Sequence, residues 1–323
     1  MALASPLVAQ RAVSPRARAL LQVPLLVGLS VLLVFVLVRL APGDATDAVL
    51  PADATSGARA ALRAAWGLDA PLPVQVGRWA ARAARGDWGV SVRNGQPVGA
   101  LLAAALPASV LLGGAALAGG VAAGLGLAGV QAARPDGRVD RALSALSLGL
   151  GALPSAWVGL LLIAGCGVQA RLFPLSGLTH PLALPGRPPH AVAADIAWHL
   201  VLPATTLGLG LAVTVARFTR AELLDQDGRP WVEALRSRGF SERAVLWRHR
   251  LPAALGPVRA LVGLALPGLV GGAAVVESVF AWPGMGRLLV DAALAQDVPV
   301  LVGGVAVVAT AVGLGRAAAA EGR

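Results

Sequence analysis

Six stretches of the chain carry no acidic or basic residue: 19–38, 94–133, 142–170, 196–216, 260–276 and 298–315. A hydrocarbon core of about 30 Å is crossed by roughly 20 apolar residues in a helix, with about 17 to 25 tolerated. Six transmembrane helices fit, the last two near the short limit. The stretch 94–133 is too long for one straight span. Its first residues, Asn94, Gly95, Gln96 and Pro97, read as a turn, so the helix is expected to begin near Gly99. The first stretch follows Arg11, Arg16 and Arg18, as a signal peptide would. Its length suits a span, and "RLAPGD" at 39–44 lacks a small-residue cleavage pattern. It reads as a retained helix.

Composition supports the membrane class. The chain of 323 residues is 56% hydrophobic and only 14% charged, against roughly 25% in soluble domains. The net charge is +10, and all 27 basic residues are arginine. Such charge could suit nucleic acid, but the arginines fall between apolar stretches and form no single stripe, so no nucleic-acid partner is expected. Without lysine the chain holds no G-x-x-x-x-G-K-[ST] loop and no ATP site of that kind. A single cysteine, Cys166, excludes an internal disulfide. Trp66, Trp79, Trp88, Trp198 and Trp282 stand near the ends of apolar stretches, which suggests a partly interfacial set.

Arginine asymmetry gives a direction. With the N-terminus inside, the inner side receives Arg11, Arg16, Arg18, Arg134, Arg138, Arg141, eight arginines from Arg217 to Arg250, Arg316 and Arg323. The outer side receives the long 41–98 segment, whose charges count less, and otherwise Arg171, Arg187 and Arg287. Both termini are therefore expected in the cytoplasm. The segment Arg217 to Arg250 cannot lie in lipid: at ~2.5 kcal/mol per arginine at mid-membrane, the cost would be about 20 kcal/mol.

Within that segment, Asp227-Gly228-Arg229-Pro230 is a turn with a proline suited to a first helical turn. Gly239 suits the left-handed residue that closes a helix. Ser241 can cap the next helix, which is expected to end at Pro252. Val232, Leu235 and Gly239 share a face. Two short helices joined by a glycine bend result. They either lie on anionic lipid or dock a soluble partner, and Glu233 and Glu242 suit anionic lipid poorly.

At these residues the chain resembles a known family. Glu233-Ala234-Leu235, then Gly239, then Leu251-Pro252 keeps the spacing of the EAA loop of ABC importer permeases, with Leu235 in place of the second alanine and His249 in place of isoleucine. "VVESVFAWPGMGRLLVDAALAQDVPV" (275–300) is similar to the segment after the fifth helix in the dipeptide/oligopeptide/nickel branch. So are "RLAPGD", "GLDAPLPVQ" at 67–75, "RGDWGVSV" at 85–92, "LPASVLL" at 106–112 and "LPSAWVGLLL" at 153–162. The likeness covers roughly residues 20 to 300. The alanine-rich C-terminal end departs from the branch, lacking its polar-aromatic tail and final proline.

The resemblance implies an all-α integral membrane protein with six transmembrane helices, a type I ABC importer permease. Residues 1–98 would hold a cytoplasmic tail, the first span and an extracytoplasmic segment. Residues 99–316 would form the five-helix permease core, with the coupling loop at 217–256, and 317–323 a short tail. Glu233, Ala234, Gly239, Leu251 and Pro252 would couple to an ATPase. Glu277, Trp282, Pro283, Gly284 and Gly286 would form the outer family segment. Partners would be a second permease subunit, two cytoplasmic ABC ATPases, an extracytoplasmic substrate-binding protein and membrane lipid. The cargo would be a di- or oligopeptide, or nickel as in part of the branch. No catalytic residue, cofactor or bound metal is implied.

Other features have weaker readings. His180, His190, Asp195 and His199 could bind a divalent metal, but a proline-rich loop separates them and His199 is placed near the headgroups. Glu277 ends the fifth span, where it could mark a pathway, sit at the interface or pair with Arg287. Pro154, ahead of Ser155 and Trp157, could kink the third span and open a polar gap, or simply pack. Gly120/Gly124 and Gly268/Gly272 have the spacing of close helix contacts. The alternative of an ion-coupled secondary transporter or channel would place charged residues in mid-span, and the six stretches hold none. A purely structural membrane subunit would leave the preserved loop spacing unexplained.

Overall fold

The computed structural model describes residues 15–40, 50, 53–66, 69–180 and 186–319. Arg11, positions 41–44 of "RLAPGD", Gly67 and Leu68, residues 181–185, the tail 320–323 and the side chain of Trp66 lie outside the described residues.

Among the described residues every regular element is helical. The isolated bridge between Val90 and Pro97 closes the turn read at 94–97. A long first helix, α1 (Pro15–Leu40), is followed by two short ones, α2 (Ser56–Trp66) and α3 (Leu72–Ala83). Next come α4 (Val98–Ala132), α5 (Arg138–Gly151) and α6 (Ser155–Leu162), which continues as a π-helical turn, Ile163–Gln169. Then α7 (Pro189–Asp225) leads to α8 (Pro230–Ser237) and α9 (Glu242–Ala244). A second π-helical stretch, Val245–Arg250, runs into α10 (Leu251–Val279). The last two are α11 (Met285–Leu294) and α12 (Val298–Ala319).

Four helices, α1, α4, α7 and α12, are long and apolar enough to cross a bilayer unbroken. Two further spans are bent pairs, so the count reaches six when each pair crosses once. The stretch 142–170 is therefore not the single helix its length suggests: α5 and the helix Ser155–Gln169 meet at 108°. The cause is local. Pro154 has no N–H and drives the preceding residue out of the helical region, while its own φ of −58° and ψ of 140° make it the N-cap of α6. The second bend, 66°, separates Glu242–Gly263 from Gly268–Val279.

Pro252 does not end a helix. Helical structure runs without interruption from Glu242 through the π-helical stretch to Val279. The proline lies inside this run and supplies no N–H to the turn before it; the wider π-helical turn there accommodates its ring and lets the helix continue. Nor is Trp282 interfacial: it is wholly buried, and its Nε1 donates to the Ala108 carbonyl at 2.9 Å.

Close backbone approach holds α4 against α7. A Cβ built on Gly120 would lie 2.7 Å from the Gly208 carbonyl oxygen, and one on Gly124 2.7 Å from that of Ala212. Gly208 answers from the other side, 2.7 Å from the Ala116 carbonyl oxygen. The pair Gly268/Gly272 has the same spacing but a different environment. Nothing stands near Gly268, and only the Leu207 side chain approaches Gly272. At one end of this assembly Ala128 and Ala132 of α4 pack with Leu223, Leu246 and Ala254. At the other, Leu112 packs with Leu202, Val276, Phe280 and Trp282.

Helix α1 lies antiparallel on α12, with Val23 against Gly313 and Val31 clustered with Val302 and Ala306. Val300, at the start of α12, clusters with Val98 and Leu102 at the start of α4. The start of α1 and the end of α12 therefore share an end of the molecule with the arginine-rich segment.

Gly124→Val places its branched carbon against a backbone carbonyl that cannot move aside. It is expected to destabilise the protein by about 1–3 kcal/mol, the usual cost of overpacking, and to lower the melting temperature in detergent. Gly126→Val, on the same helix with nothing within 4 Å of its Cβ, serves as the control and is expected to melt as the parent does.

Candidate functional site

The arginine-rich end is built from a helix, a turn and a hairpin. Beyond α7 the chain turns at Asp227 and Gly228, whose φ is 76°. Pro230 then opens α8. Gly239, with φ 83°, closes it and turns the chain back. No atom lies within 4 Å of a Cβ built there. The backbone conformation, not crowding, is what requires glycine. Ser241 caps the return helix, its hydroxyl accepting from the Ala244 N–H at 3.3 Å.

One guanidinium ties the hairpin together. Arg236 donates through Nε to Glu242 Oε1 at 2.8 Å, through Nη1 to Glu233 Oε1 at 2.6 Å, and through Nη2 to Asp227 Oδ1 at 2.8 Å. The three acceptors stand on the turn, on α8 and on α9, so a single side chain fixes the angle of the bend. Glu242, then Asp227 and Glu233, hold the arginine proton more tightly than water would. In return the Arg236 guanidinium holds the Asp227 carboxyl below the usual carboxylate range, outweighing its partial burial.

The hairpin is anchored from beneath. Val232 and Val245 are fully buried. Trp247 lays its ring over Gly129 of α4, where a Cβ would come within 2.5 Å of the ring. Arg250 is buried, donates to the Leu223 carbonyl and lies 3.6 Å from Asp227. Leu251 packs on the cluster around Ala254. On the outer side, Trp231, Ala234, Leu235, Arg238, Arg248 and His249 line an open groove of about 470 Å³. The structure thus brings Glu233, Ala234 and Gly239 together on one exposed hairpin, with Leu251 and Pro252 at its base. Leu235 is half-buried, but Gly239, expected on the same face as Val232, is exposed.

At the opposite end Glu277 closes α10. Its carboxylate is wholly buried and fully used. Ser109 Oγ donates to Oε1 at 2.6 Å, and the Arg287 backbone N–H donates to Oε2 at 2.9 Å. Ser109 Oγ in turn accepts from the Met285 N–H at 2.7 Å. Of the three readings of Glu277, pairing with residue 287 holds, but through its backbone; the Arg287 guanidinium turns to Asp291 at 3.8 Å. Gly284 is required because a Cβ there would fall 2.3 Å from the Glu277 carboxylate, and Gly286 because one there would fall 2.5 Å from the Ala274 backbone. Trp282 plugs the space below, while Pro283 stays exposed.

Two further carboxylates were not singled out in the sequence. Asp297, at the start of α12, accepts from Ser91 Oγ and from the N–H groups of Val92 at 3.2 Å and Arg93 at 3.4 Å, pinning the 90–97 turn. Asp140, on α5, accepts two hydrogen bonds from Arg220 of α7 at 2.8 and 2.6 Å. Only their position beside apolar stretches could have marked them, since their partners lie far away along the chain.

Two of the four candidate metal residues, Asp195 and His199, engage other groups. Asp195 accepts from Arg187 Nη1 at 2.8 Å and from the His180 N–H at 3.1 Å. His199 is buried, with Nδ1 2.8 Å from the Asp195 carbonyl oxygen. Among the described residues no three His, Cys, Asp or Glu side chains converge as a metal site would need.

Comparison with known proteins agrees with this architecture. Residues 120–318 match the family described as "Binding-protein-dependent transport system inner membrane component". The chain is 33% identical to the oligopeptide transport system permease protein AppB of Bacillus subtilis over 286 residues, 88% of each chain. It is 30% identical to the dipeptide transport system permease protein DppB of Escherichia coli K12 over 308 residues, 90% of each. It is also 33% identical to the glutathione transport system permease protein GsiC of Pectobacterium atrosepticum over 269 residues, 83% of each. With most of its length matched and its helices long enough to cross a bilayer several times, the chain belongs to the inner membrane components of binding-protein-dependent ABC transport systems.

Proposed function

We propose that the chain is one of two permease subunits of an importer that carries a di- or oligopeptide across the cytoplasmic membrane by alternating access. A second, similar permease completes the path. Two cytoplasmic ATPases bind the hairpins, and an extracytoplasmic binding protein delivers the cargo. Both termini and the 217–256 loop face the cytoplasm, and 41–98 faces outward. Peptide is preferred to nickel because the relatives named above carry names of peptide systems.

The observation that carries this reading is the rigid α8–α9 hairpin. Its bend is set by Gly239 and clamped by Arg236, and it projects an open groove from the arginine-rich end. Closure of the ATPases pushes on that hairpin. The helical run from Glu242 to Val279 is continuous but bent by 66°, so the push passes through that bend on its way to the Glu277 latch. In this scheme Glu233 shapes the hairpin through Arg236 and Ala234 lines the groove that receives the ATPase. Leu251 and Pro252 join the hairpin to α10. The outer segment 277–286 is a hinge lock whose glycines allow the close turn.

Two experiments test this. In a Cys166→Ser background, Ser56→Cys is expected to react with an impermeant thiol reagent in intact cells and Ser237→Cys only after the membrane is opened. Equal labelling, or labelling of residue 237 alone, contradicts the orientation. Gly239→Val is expected to insert normally yet lose uptake and ATPase co-purification at matched membrane levels, because a β-branched residue does not adopt φ near 83° without strain. Arg236→Gln, which releases three carboxylates at once, is expected to lower the same readouts. Glu233→Ala is expected to do so more weakly, since Asp227 and Glu242 still hold the arginine and one exposed pair contributes only ~0.2–1 kcal/mol. Normal uptake and ATPase retention in Gly239→Val would reduce the segment to a surface hairpin.

A further inference from the structure

We propose, on the basis of the importer reading above, that Arg220 is a positioning residue: its two hydrogen bonds to Asp140 carry the movement of the hairpin from α7 to α5. Helix α5 inverts the usual pattern of burial. Its buried residues are Asp140 and Ser147, and Ser144 between them is half-buried. Spacings of four and three put these residues on one face. The stripe ends at Gly151, where a Cβ would lie 3.1 Å from Val213 of α7. None of the apolar side chains of α5 is buried, and Val139, Leu146 and Leu148 are exposed. Within this chain α5 is therefore held by its polar face.

Asp140 is the centre of that face. Its Oδ1 accepts from Arg220 Nε at 2.8 Å and its Oδ2 from Arg220 Nη2 at 2.6 Å. The Asp136 N–H, in the turn before α5, donates to Oδ2 at 2.9 Å. Ser144 Oγ lies 3.4 Å from Oδ1 and accepts from Gln131 Nε2 of α4 at 2.9 Å. The Asp136 carboxylate stands 3.8 Å from Arg220. The knot thus joins α4, the turn, α5 and α7. Two parallel bonds from one planar guanidinium fix orientation as well as distance, so α5 follows both the shift and the rotation of α7 at this point.

Arg220 also stands close to the hairpin. Arg250, at the hairpin's base, donates to the carbonyl of Leu223. Asp227, just beyond α7, accepts from Arg236 at 2.8 Å. Arg220 to Asp227 is about 10 Å along the chain at the helical rise of about 1.5 Å per residue. By the same measure the route along α10, from Leu251 to Glu277, is about 39 Å, and it crosses the 66° bend. Helix α7 carries no such bend over Pro189–Asp225. A push on the hairpin therefore meets a second span first at Arg220 and Asp140. Alternating access needs the spans to move together, and α5 has no buried apolar contact by which to follow. Such a contact transmits movement only if breaking it separates the two helices' responses.

The test uses the assembled transporter in lipid nanodiscs, with Cys166→Ser and cysteine-free partner subunits. Spin labels at Val139→Cys on α5 and Phe218→Cys on α7, both exposed positions, are each paired with one at Leu314→Cys on α12. Distances are read by pulsed electron spin resonance with and without ATP and vanadate. In the parent both pairs are expected to shift. Asp140→Leu/Arg220→Met replaces the ion pair by apolar side chains, an exchange that is often neutral for stability. There the α7 pair is expected to keep its shift and the α5 pair to lose most of its own. The melting temperature stays at the parent's, while peptide imported per ATP hydrolysed falls about threefold or more. Arg220→Lys, which keeps the charge but not the fork, is expected to fall between. Asp140→Asn, which keeps the size of the side chain, is read in the same way if the double variant does not assemble. If α5 follows α7 at full amplitude in these variants, the pair is only a staple and the proposal is overturned. Loss of the α7 shift as well overturns it, because the pair would then act ahead of α7. A parent in which neither pair shifts contradicts the importer reading and takes this proposal with it. A parent that shifts and imports peptide leaves that reading standing whichever way the variants fall.

Discussion

Hydrocarbon accepts no unpaired polar group, and the whole chain is arranged around that constraint. Helices satisfy the backbone within each span. Arginine is kept out of the apolar stretches because each would cost ~2.5 kcal/mol at mid-membrane. The arginine-rich hairpin at 230–250 has to lie outside the hydrocarbon. Where the chain breaks the rule, between Gly151 and Trp157, the open groups adjoin a cavity and not a sealed core.

The same constraint explains the buried carboxylates. Glu277 and Asp297 are each surrounded by hydroxyl and backbone N–H donors, and Asp140 by a paired guanidinium. These donors offset part of the cost of burying the carboxyl oxygens, and removing one would leave an oxygen unmet. Each therefore works as a fastener between distant parts of the chain. Asp140 ties α5 to α7 beside the hairpin. Asp297 ties the 90–97 turn to α12, and Glu277 ties α10 to α4 and to the loop leading into α11. Of the helices so tied, α10 is held at its end by Glu277 and is bent in its middle.

Charge and proline placement made much of this legible. The uncharged stretches located the spans, and the run Asp227 to Ser241 showed the hairpin, its glycine and its cap residue by residue, because caps and turns are decided by a few neighbours. What escaped was what depends on partners far along the chain. Ser109 meets a carboxylate on another helix, and Gly120 and Gly268 carry the same spacing although only the first faces a neighbouring backbone. Pro154 was visible as a possible kink, but the angle of 108° depends on how α6 packs on Phe280 and Thr206. Pro252 misled because the rule that proline follows a helix is local, whereas a wide turn ahead of it lets the helix continue. Trp282 misled because position at the end of a span does not reveal whether another helix covers it.

Driven uptake tests the central claim most directly. The purified chain, its second permease and its ATPases are reconstituted into liposomes with ATP enclosed alongside the inward-facing domains, and labelled dipeptide is presented outside on its binding protein. The expected result is uptake that requires ATP and the binding protein and is indifferent to collapse of proton and sodium gradients. Uptake by this chain without ATPases, driven by an ion gradient, would contradict it.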